Sequence, residues 1–243
     1  MELTIYLAHD GIRDLKYTEL MKQLEAQYDP EAIAGMARYG INPSRVYGVP
    51  ISKLRIVAKE IGRDHRLAQQ LWTSGVHDAR MLACLIDNPK EVSEAQMERW
   101  ASDFDSWALC DSCCGHLLDK TELAHQKAAE WVGRNEEMVK RAGFSLMATL
   151  AVHDKKATDE VFEQFLLLIK RESTDERNLV KKAVNWSLRQ IGKRNRSLNQ
   201  AAIETASEIQ QIDSNIARWI ASDALRELTS ESAQQRLRNR DLR

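Results

Sequence analysis

Proline is nearly absent from this sequence, and its distribution constrains the fold more than any other feature. Only four prolines occur among 243 residues, and none follows Pro89. Because an internal proline removes a helical hydrogen bond and clashes with the preceding turn, long helices are rarely compatible with it. The whole chain beyond Pro89 is therefore free to be helical.

The spacing of apolar residues predicts that most of the chain is indeed helical. Segments such as HRLAQQLWTSG, EAQMERWASDF and NLVKKAVNWSLRQ place apolar residues at intervals of three and four, the period of an amphipathic helix. Alternation of the strand type is scarce. Polar residues suited to cap helices (Ser93, Asp105, Thr158 and Asp213) precede several of these segments. We predict an all-α fold of about a dozen helices joined by short turns.

A weak internal repeat indicates how the helices are arranged. Similar apolar, basic and small residues surround Arg80, Arg141, Lys182 and Arg218, at steps of 61, 41 and 36 residues. Such periods are typical of HEAT or armadillo helical solenoids, in which each helix pair stacks on the next. Solenoids most often bind other proteins, so the fold alone favours a protein-binding scaffold.

The bulk properties favour a cytosolic protein. The net charge is −1 and the calculated pI is about 6.6, so any nucleic-acid binding would require local segregation of charge. We find no signal-peptide pattern and no apolar run long enough to span a membrane. No glycine- or proline-rich linker divides the chain, which predicts a single repeat domain over residues 1–243 whose first 25 or so residues form a peripheral helical segment.

The cysteines Cys110, Cys113 and Cys114 lie close to His116 and allow two interpretations. A metal or redox site is one. However, no second cysteine or histidine pair completes a zinc site, and on a helix His116 would lie on the far side from Cys114. Small buried thiols between packed helices are the interpretation that we favour, without disulfides.

A basic stretch at residues 181–196 supplies the local segregation of charge. It contains six lysines and arginines and no acid, and Lys182, Trp186, Arg189 and Lys193 share one helical face. These three cations, together with Arg194, are candidate contacts for a phosphate backbone. The alternative is an ordinary solvated face with Trp186 turned into the core. The repeat positions Arg80 and Arg218 are further candidate DNA contacts.

One aspartate and one arginine are unusual in their local surroundings. Asp111 lies one helical turn after Trp107 and has no lysine or arginine within four residues. Arg141 begins a long stretch without other charges, so it must reach solvent, a ligand or a carboxylate. We predict that Asp111 and Arg141 pair, either as a structural brace or as part of a site. For Tyr39 and Trp219, the pattern alone favours core positions.

The order of Trp107, Asp111, Arg141 and the pair Trp186 and Arg189 resembles the AlkD family of DNA alkylation-repair glycosylases. The resemblance also covers YGVPISKLRIVAKEIG at 47–62, WSLRQIGKRN and ARWIASDALREL. It implies a HEAT-like α-α superhelix that holds duplex DNA in a concave basic groove. It further implies a monomer that excises N3- or N7-alkylated purines and needs no cofactor, metal or membrane.

The resemblance also implies residue roles. Asp111 would be the catalytic carboxylate, Arg141 would hold it and the backbone, and Trp107 and Trp186 would form an aromatic cleft. Tyr39 would contact the lesion region, and Arg189 the DNA backbone. Better-known members carry a lysine two turns after the arginine, where this chain has Thr149.

The implied chemistry suits the residues. A cationic alkylpurine leaves without a general acid, so one carboxylate can stabilise the sugar cation and orient water. Aromatic faces also attract a cationic sugar. Two alternatives remain open at this point: a relative that binds damaged or branched DNA without cleaving it, and a protein-binding scaffold.

Overall fold

The computed structural model describes residues 10–241, and helices are the only regular elements in that range. Short 3-10 turns lie at Pro43–Arg45 and Leu118–Lys120. The all-α class is therefore confirmed. None of the helices in this range is long and apolar enough to cross a lipid bilayer.

Contacts between residues divide the chain into two compact units, residues 1–92 and residues 93–243. The single repeat domain stays a prediction. Of the segment predicted to be peripheral, residues 1–9 lie outside the described residues, and the rest forms the first helix.

The first unit contains five of the described helices: α1 (Asp10–Glu25), α2 (Pro30–Arg38), α3 (Ile51–Ile61), α4 (His65–Thr73) and α5 (His77–Ile86). α4 packs against α5, and α3 also contacts α5. Buried Asp78 of α5 accepts hydrogen bonds from the amides of Tyr47 and Val49, both at 2.7 Å. This carboxylate satisfies backbone donors that an extended segment between helices would otherwise leave unpaired.

The second unit contains nine of the described helices: α6 (Glu94–Ser102), α7 (Trp107–His116), α8 (Ala124–Trp131), α9 (Glu137–His153), α10 (Asp159–Arg171), α11 (Asn178–Gly192), α12 (Arg196–Gln210), α13 (Asn215–Leu228) and α14 (Glu231–Asp241). α7, α9, α11 and α13 follow one another as direct neighbours, and α8 and α12 pack against α9 and α13. α9 is buried on every side from 139 to 151. This explains why its sequence is apolar over more than one face.

α8 and α9 approach each other most closely at Gly143. A Cβ atom added there would lie 2.8 Å from the backbone nitrogen of Val132 and 3.1 Å from the carbonyl oxygen of Ala128. Gly192 of α11 is also enclosed, but a Cβ there would meet mainly side-chain methyl groups of Leu228. Backbone atoms cannot move aside as easily as the end of a leucine side chain.

We therefore expect Gly143→Ala to destabilise the protein more than Gly192→Ala does. Overpacking against backbone costs about 1–3 kcal/mol, and the alanine helix propensity returns up to about 1 kcal/mol in both variants. Urea unfolding followed by circular dichroism measures the difference. Equal stability of the two variants would contradict the close approach at Gly143.

Candidate active site

The predicted pair of Asp111 and Arg141 is confirmed, and it joins α7 to α9. The Arg141 guanidinium donates from Nε to Oδ1 of Asp111 at 3.1 Å and from Nη2 to Oδ2 at 2.6 Å. The hydroxyl of Ser145 donates to Oδ1 at 2.7 Å. Two parallel N–H bonds from a guanidinium fix both the position and the plane of a carboxylate.

Local sequence places each partner. The Ser106 hydroxyl caps the start of α7 by accepting from the amide of Leu109. Trp107 is therefore the first residue of the helix, and Asp111 follows one turn later. On α9, Arg141 and Ser145 are four residues apart and so lie on one face. Sequence reasoning missed Ser145, although this spacing was a usable signal.

The two side chains differ in exposure. The Asp111 side chain is 21% exposed, whereas that of Arg141 is only 7% exposed. Arg141 also donates from Nη1 to the carbonyl of Leu179 at 2.6 Å, in the first turn of α11. Arg141 is thus held between three helices, and Asp111 is the member of the pair that solvent or a ligand can reach.

Thr149 lies on the same face of α9, one turn beyond Ser145. It is buried, its hydroxyl donates to the carbonyl of Leu146 at 3.2 Å, and its methyl group would lie 3.2 Å from a Cβ on Gly115 of α7. A residue in this position packs helices together. The hydroxyl proton of Thr149 is therefore used within its own helix.

The start of α11 is held against α9 by a second set of charges. Lys140 is 10% exposed at its side chain and donates to Glu172 at 2.5 Å, and it lies 3.0 Å from Asp175. Arg177 bonds Asp175 and the carbonyl of Asn135. The loop before α11 is thus tied to the N-terminal end of α9, which places Leu179 beside Arg141.

Burial by itself would raise the pKa of the Glu172 and Asp175 carboxyls. Hydrogen bonds outweigh it: Lys140 and Arg171 bond Glu172, and Arg177 and Lys140 bond Asp175. The net effect lowers the pKa of both carboxyls below their ordinary range. Both groups are therefore held in the ionised form at neutral pH.

In the fold, acidic residues of another helix partly neutralise the basic stretch. Arg189 bonds Glu227 of α13 and lies 3.7 Å from Asp223, and Lys193 donates to Glu227 at 2.6 Å. Each of these acids lies more than thirty residues beyond its partner in the sequence, so a local window of sequence does not contain it. The shared partner does confirm that Arg189 and Lys193 lie on one face.

Arg194 makes several contacts within the protein, and its role as a DNA contact stays a prediction. It donates to the carbonyls of Ala151 and Ala157 at 3.2 and 2.8 Å, and its guanidinium lies 4.4 Å from the centre of the Phe162 ring. Burial lowers the pKa of this guanidinium. Arg194 thus closes the C-terminal end of α9 with one hydrogen bond from Nη1 and one from Nη2.

The remaining predicted residues of this unit are more accessible. Lys182 is exposed, and Trp107 and Trp186 are half-buried. Trp219 is 42% exposed, so its predicted core position is wrong. Arg218 is exposed and bonds Asp213 and Asn215 at 3.2 and 2.9 Å.

Tyr39 and Arg80 belong to the first unit. Tyr39 ends α2 and is 72% exposed, which makes its predicted core position wrong. Arg80 lies over the ring of Trp72 at 5.2 Å and donates to the carbonyl of that residue at 3.2 Å. Their proposed DNA contacts stay predictions.

The cysteines form part of the packing between α7 and α9. Cys110, Cys113 and Cys114 are free thiols and fully buried, and Cys114 donates from its Sγ to the carbonyl of Ala142 at 3.6 Å. Burial raises the pKa of the Cys114 thiol. A buried neutral thiol is unreactive, which agrees with the packing interpretation.

The arrangement around Asp111 can stabilise positive charge. Oδ2 accepts a single hydrogen bond among the described residues and therefore keeps a lone pair for a ligand or a water molecule. Arg141 and Ser145 hold the carboxylate in place, so it does not have to reorient during a reaction.

The chain was compared with known proteins. The family model for DNA alkylation repair enzymes matches residues 20–228. An uncharacterised protein of Listeria innocua is 24% identical over 84% of this chain and 91% of its own length. One of Listeria monocytogenes is 23% identical over 83% and 90%.

Among solved structures, this chain resembles a protein from a family related to the HEAT-like repeat DNA glycosylases with affinity for branched DNA structures. The TM-score is 0.74 at 23% identity, and the match covers 91% of this chain and 95% of the other. The fold is therefore HEAT-like. Since the family model spans most of the sequence, this chain belongs to the family of DNA alkylation repair enzymes.

Proposed function

We propose that the protein is a DNA glycosylase that releases cationic N3- or N7-alkylated purines from duplex DNA by hydrolysis of the N-glycosidic bond. The observation that carries the proposal is the Asp111 carboxylate, which is held rigidly by Arg141 and Ser145 and yet is partly exposed. A purely structural ion pair would gain nothing from this exposure.

The reaction assigned to the site needs few groups. An N3- or N7-alkylpurine already carries positive charge, so the base departs with the bonding electrons and becomes neutral. Positive charge then develops on the deoxyribose, where Asp111 stabilises it. The same carboxylate orients a water molecule for attack at C1′ and accepts the proton that this water loses. Trp107 and Trp186, both half-buried, would flank the sugar and attract its charge through their ring faces.

Release of free base tests this proposal. The protein would be incubated with duplex DNA treated with a methylating agent, and 3-methyladenine and 7-methylguanine in solution would be quantified. We expect release by the wild-type protein and its loss in Asp111→Asn. Absence of release from the wild type would refute the proposed reaction.

The second candidate is binding of damaged or branched DNA without cleavage. It is favoured by the pairing of Arg189 and Lys193 with Glu227, which reduces the positive charge available to a duplex backbone. The affinity for branched DNA in the family of the similar structure also supports it. Tight binding of branched DNA by both the wild type and Asp111→Asn, without release of base by either, would establish this alternative.

A further inference from the structure

Four helices that neighbour one another in turn carry a charged or aromatic residue at their fifth position, and we call these four positions the row. Counted from the first residue of each helix, Asp111 is the fifth of α7, Arg141 of α9, Lys182 of α11 and Trp219 of α13. Each of these helices contacts the next, and Arg141 bonds both Asp111 and the first turn of α11. With neighbouring helices about 8–10 Å apart, the row is roughly 25–30 Å long.

The far end of the row is an exposed tryptophan beneath a lysine. Trp219 is 42% exposed, and Nζ of Lys181 lies 5.1 Å from the centre of its ring. In contrast, Trp72, Trp100 and Trp131 are at most 3% exposed. Tryptophan is among the residues that most often contribute the binding energy of an interface.

The charges around Trp219 favour an anionic partner. Among the described residues, neither Lys181 nor Lys182 forms a salt bridge, and Lys182 is exposed. The acid one turn beyond Trp219 is Asp223, which is bonded to Arg226 and lies near Arg189. The two lysines therefore keep their charge for a ligand.

We propose that Trp219, with Lys181 and Lys182, binds an unpaired nucleobase of a DNA strand that continues from the duplex at Asp111. This inference rests on the DNA binding in the proposed function. Inside a duplex both faces of a base are covered by its neighbours, so away from the duplex ends an exposed indole can stack only on a base that has left the helix. Stacking of this kind tolerates any base, and the lysines beside the ring would bind the phosphates that flank the base.

Binding of two DNA molecules with equal numbers of phosphates tests the site. One is a blunt duplex, and the other is a shorter duplex with an oligothymidine tail. By fluorescence anisotropy, we expect the wild type to bind the tailed DNA more tightly. Trp219→Leu should lose about 5- to 100-fold in affinity for the tailed DNA and little for the blunt duplex. Trp219→Phe, which keeps an aromatic face, should retain most of the preference.

The control variant is Leu167→Ala, since Leu167 is a 62% exposed apolar residue on α10, away from the row. It should bind both DNA molecules as the wild type does. A wild-type protein without preference for the tailed DNA, or an unchanged preference in Trp219→Leu, would overturn the proposed site. The proposed site would also be overturned if Trp219 bound a protein and contacted neither of the two DNA molecules.

The outcome can be separated from that of the proposed reaction. Asp111→Asn should keep the preference for tailed DNA, and Trp219→Leu should release base from saturating alkylated duplex at the wild-type rate. If neither the wild type nor any variant releases base but the wild type prefers the tailed DNA, the proposed reaction is refuted and the proposed site is supported. If base is released but no preference for the tailed DNA is seen, the proposed reaction is supported and the proposed site is refuted.

Discussion

Asp111→Asn is expected to slow the release of 7-methylguanine from duplex DNA by about 100- to 1,000-fold, the usual effect of removing a fixed group that stabilises charge in a transition state. Asparagine has nearly the same shape as aspartate but carries no charge and is a poor acceptor for the proton of water. Single-turnover release with protein in excess measures the chemical step separately from binding.

The same substitution should weaken DNA binding little, because it removes a negative charge and touches no expected phosphate contact. It does alter the bonds around Arg141. The amide NH2 group cannot accept from Nη2, so one strong hydrogen bond is lost, at a cost of about 1–3 kcal/mol. The assay should therefore be run well below the unfolding temperature of the variant.

Ser145→Ala is the matched control for this experiment. It removes one bond to Oδ1 but leaves the charge and both guanidinium bonds of Asp111. We expect a reduction of no more than about tenfold in release, corresponding to the loss of roughly 1 kcal/mol of positioning. Equal release by Asp111→Asn and the wild type would remove Asp111 from the reaction.

The pair of Asp111 and Arg141 was predictable because Asp111 has no lysine or arginine within four residues and Arg141 begins a long stretch without other charges. A carboxylate without a local cation needs a partner from another helix, and an arginine that leads an apolar helix can supply it. The all-α fold was predictable for a similarly local reason, since helical periodicity and the absence of proline act within each segment.

The surroundings of the basic stretch were not predictable in the same way. Glu227 follows Arg189 by 38 residues, and only the packing of α13 against α11 brings them together. The exposure of Trp219 depends on the same packing. An amphipathic pattern shows which faces of α13 are apolar, but it does not show which of them a neighbouring helix covers.

The ion pairs between α9 and the loop before α11 connect the stability of the protein to the geometry of the site. Lys140 is adjacent to Arg141, and its carboxylate partners Glu172 and Asp175 precede the turn that offers the carbonyl of Leu179. Loss of these ion pairs would release the start of α11. Arg141 would then remain bonded to Asp111 but would lose its contact with α11.

Lys140→Met is accordingly expected to lower the free energy of unfolding by about 3 kcal/mol, because it leaves two largely buried carboxylates without their shared cation. Lys170→Met is the control. Lys170 pairs with Glu208 at 2.8 Å, but both side chains are substantially exposed, so its loss should cost less than about 1 kcal/mol. Urea unfolding at neutral pH compares the three proteins.

The pH dependence of unfolding distinguishes this ion pairing from simple packing of the Lys140 side chain. The pKa values of Glu172 and Asp175 are lower in the folded protein than in the unfolded chain, so their contribution to stability is complete above the unfolded values, near pH 4–5. It is lost as the pH falls through the folded values. The wild type should therefore lose stability steeply below about pH 4.5, and Lys140→Met should lose less over the same interval. Parallel acid limbs for the two proteins would mean that Lys140 stabilises α9 by packing alone, and that the ion pairs do not hold the start of α11 beside Arg141.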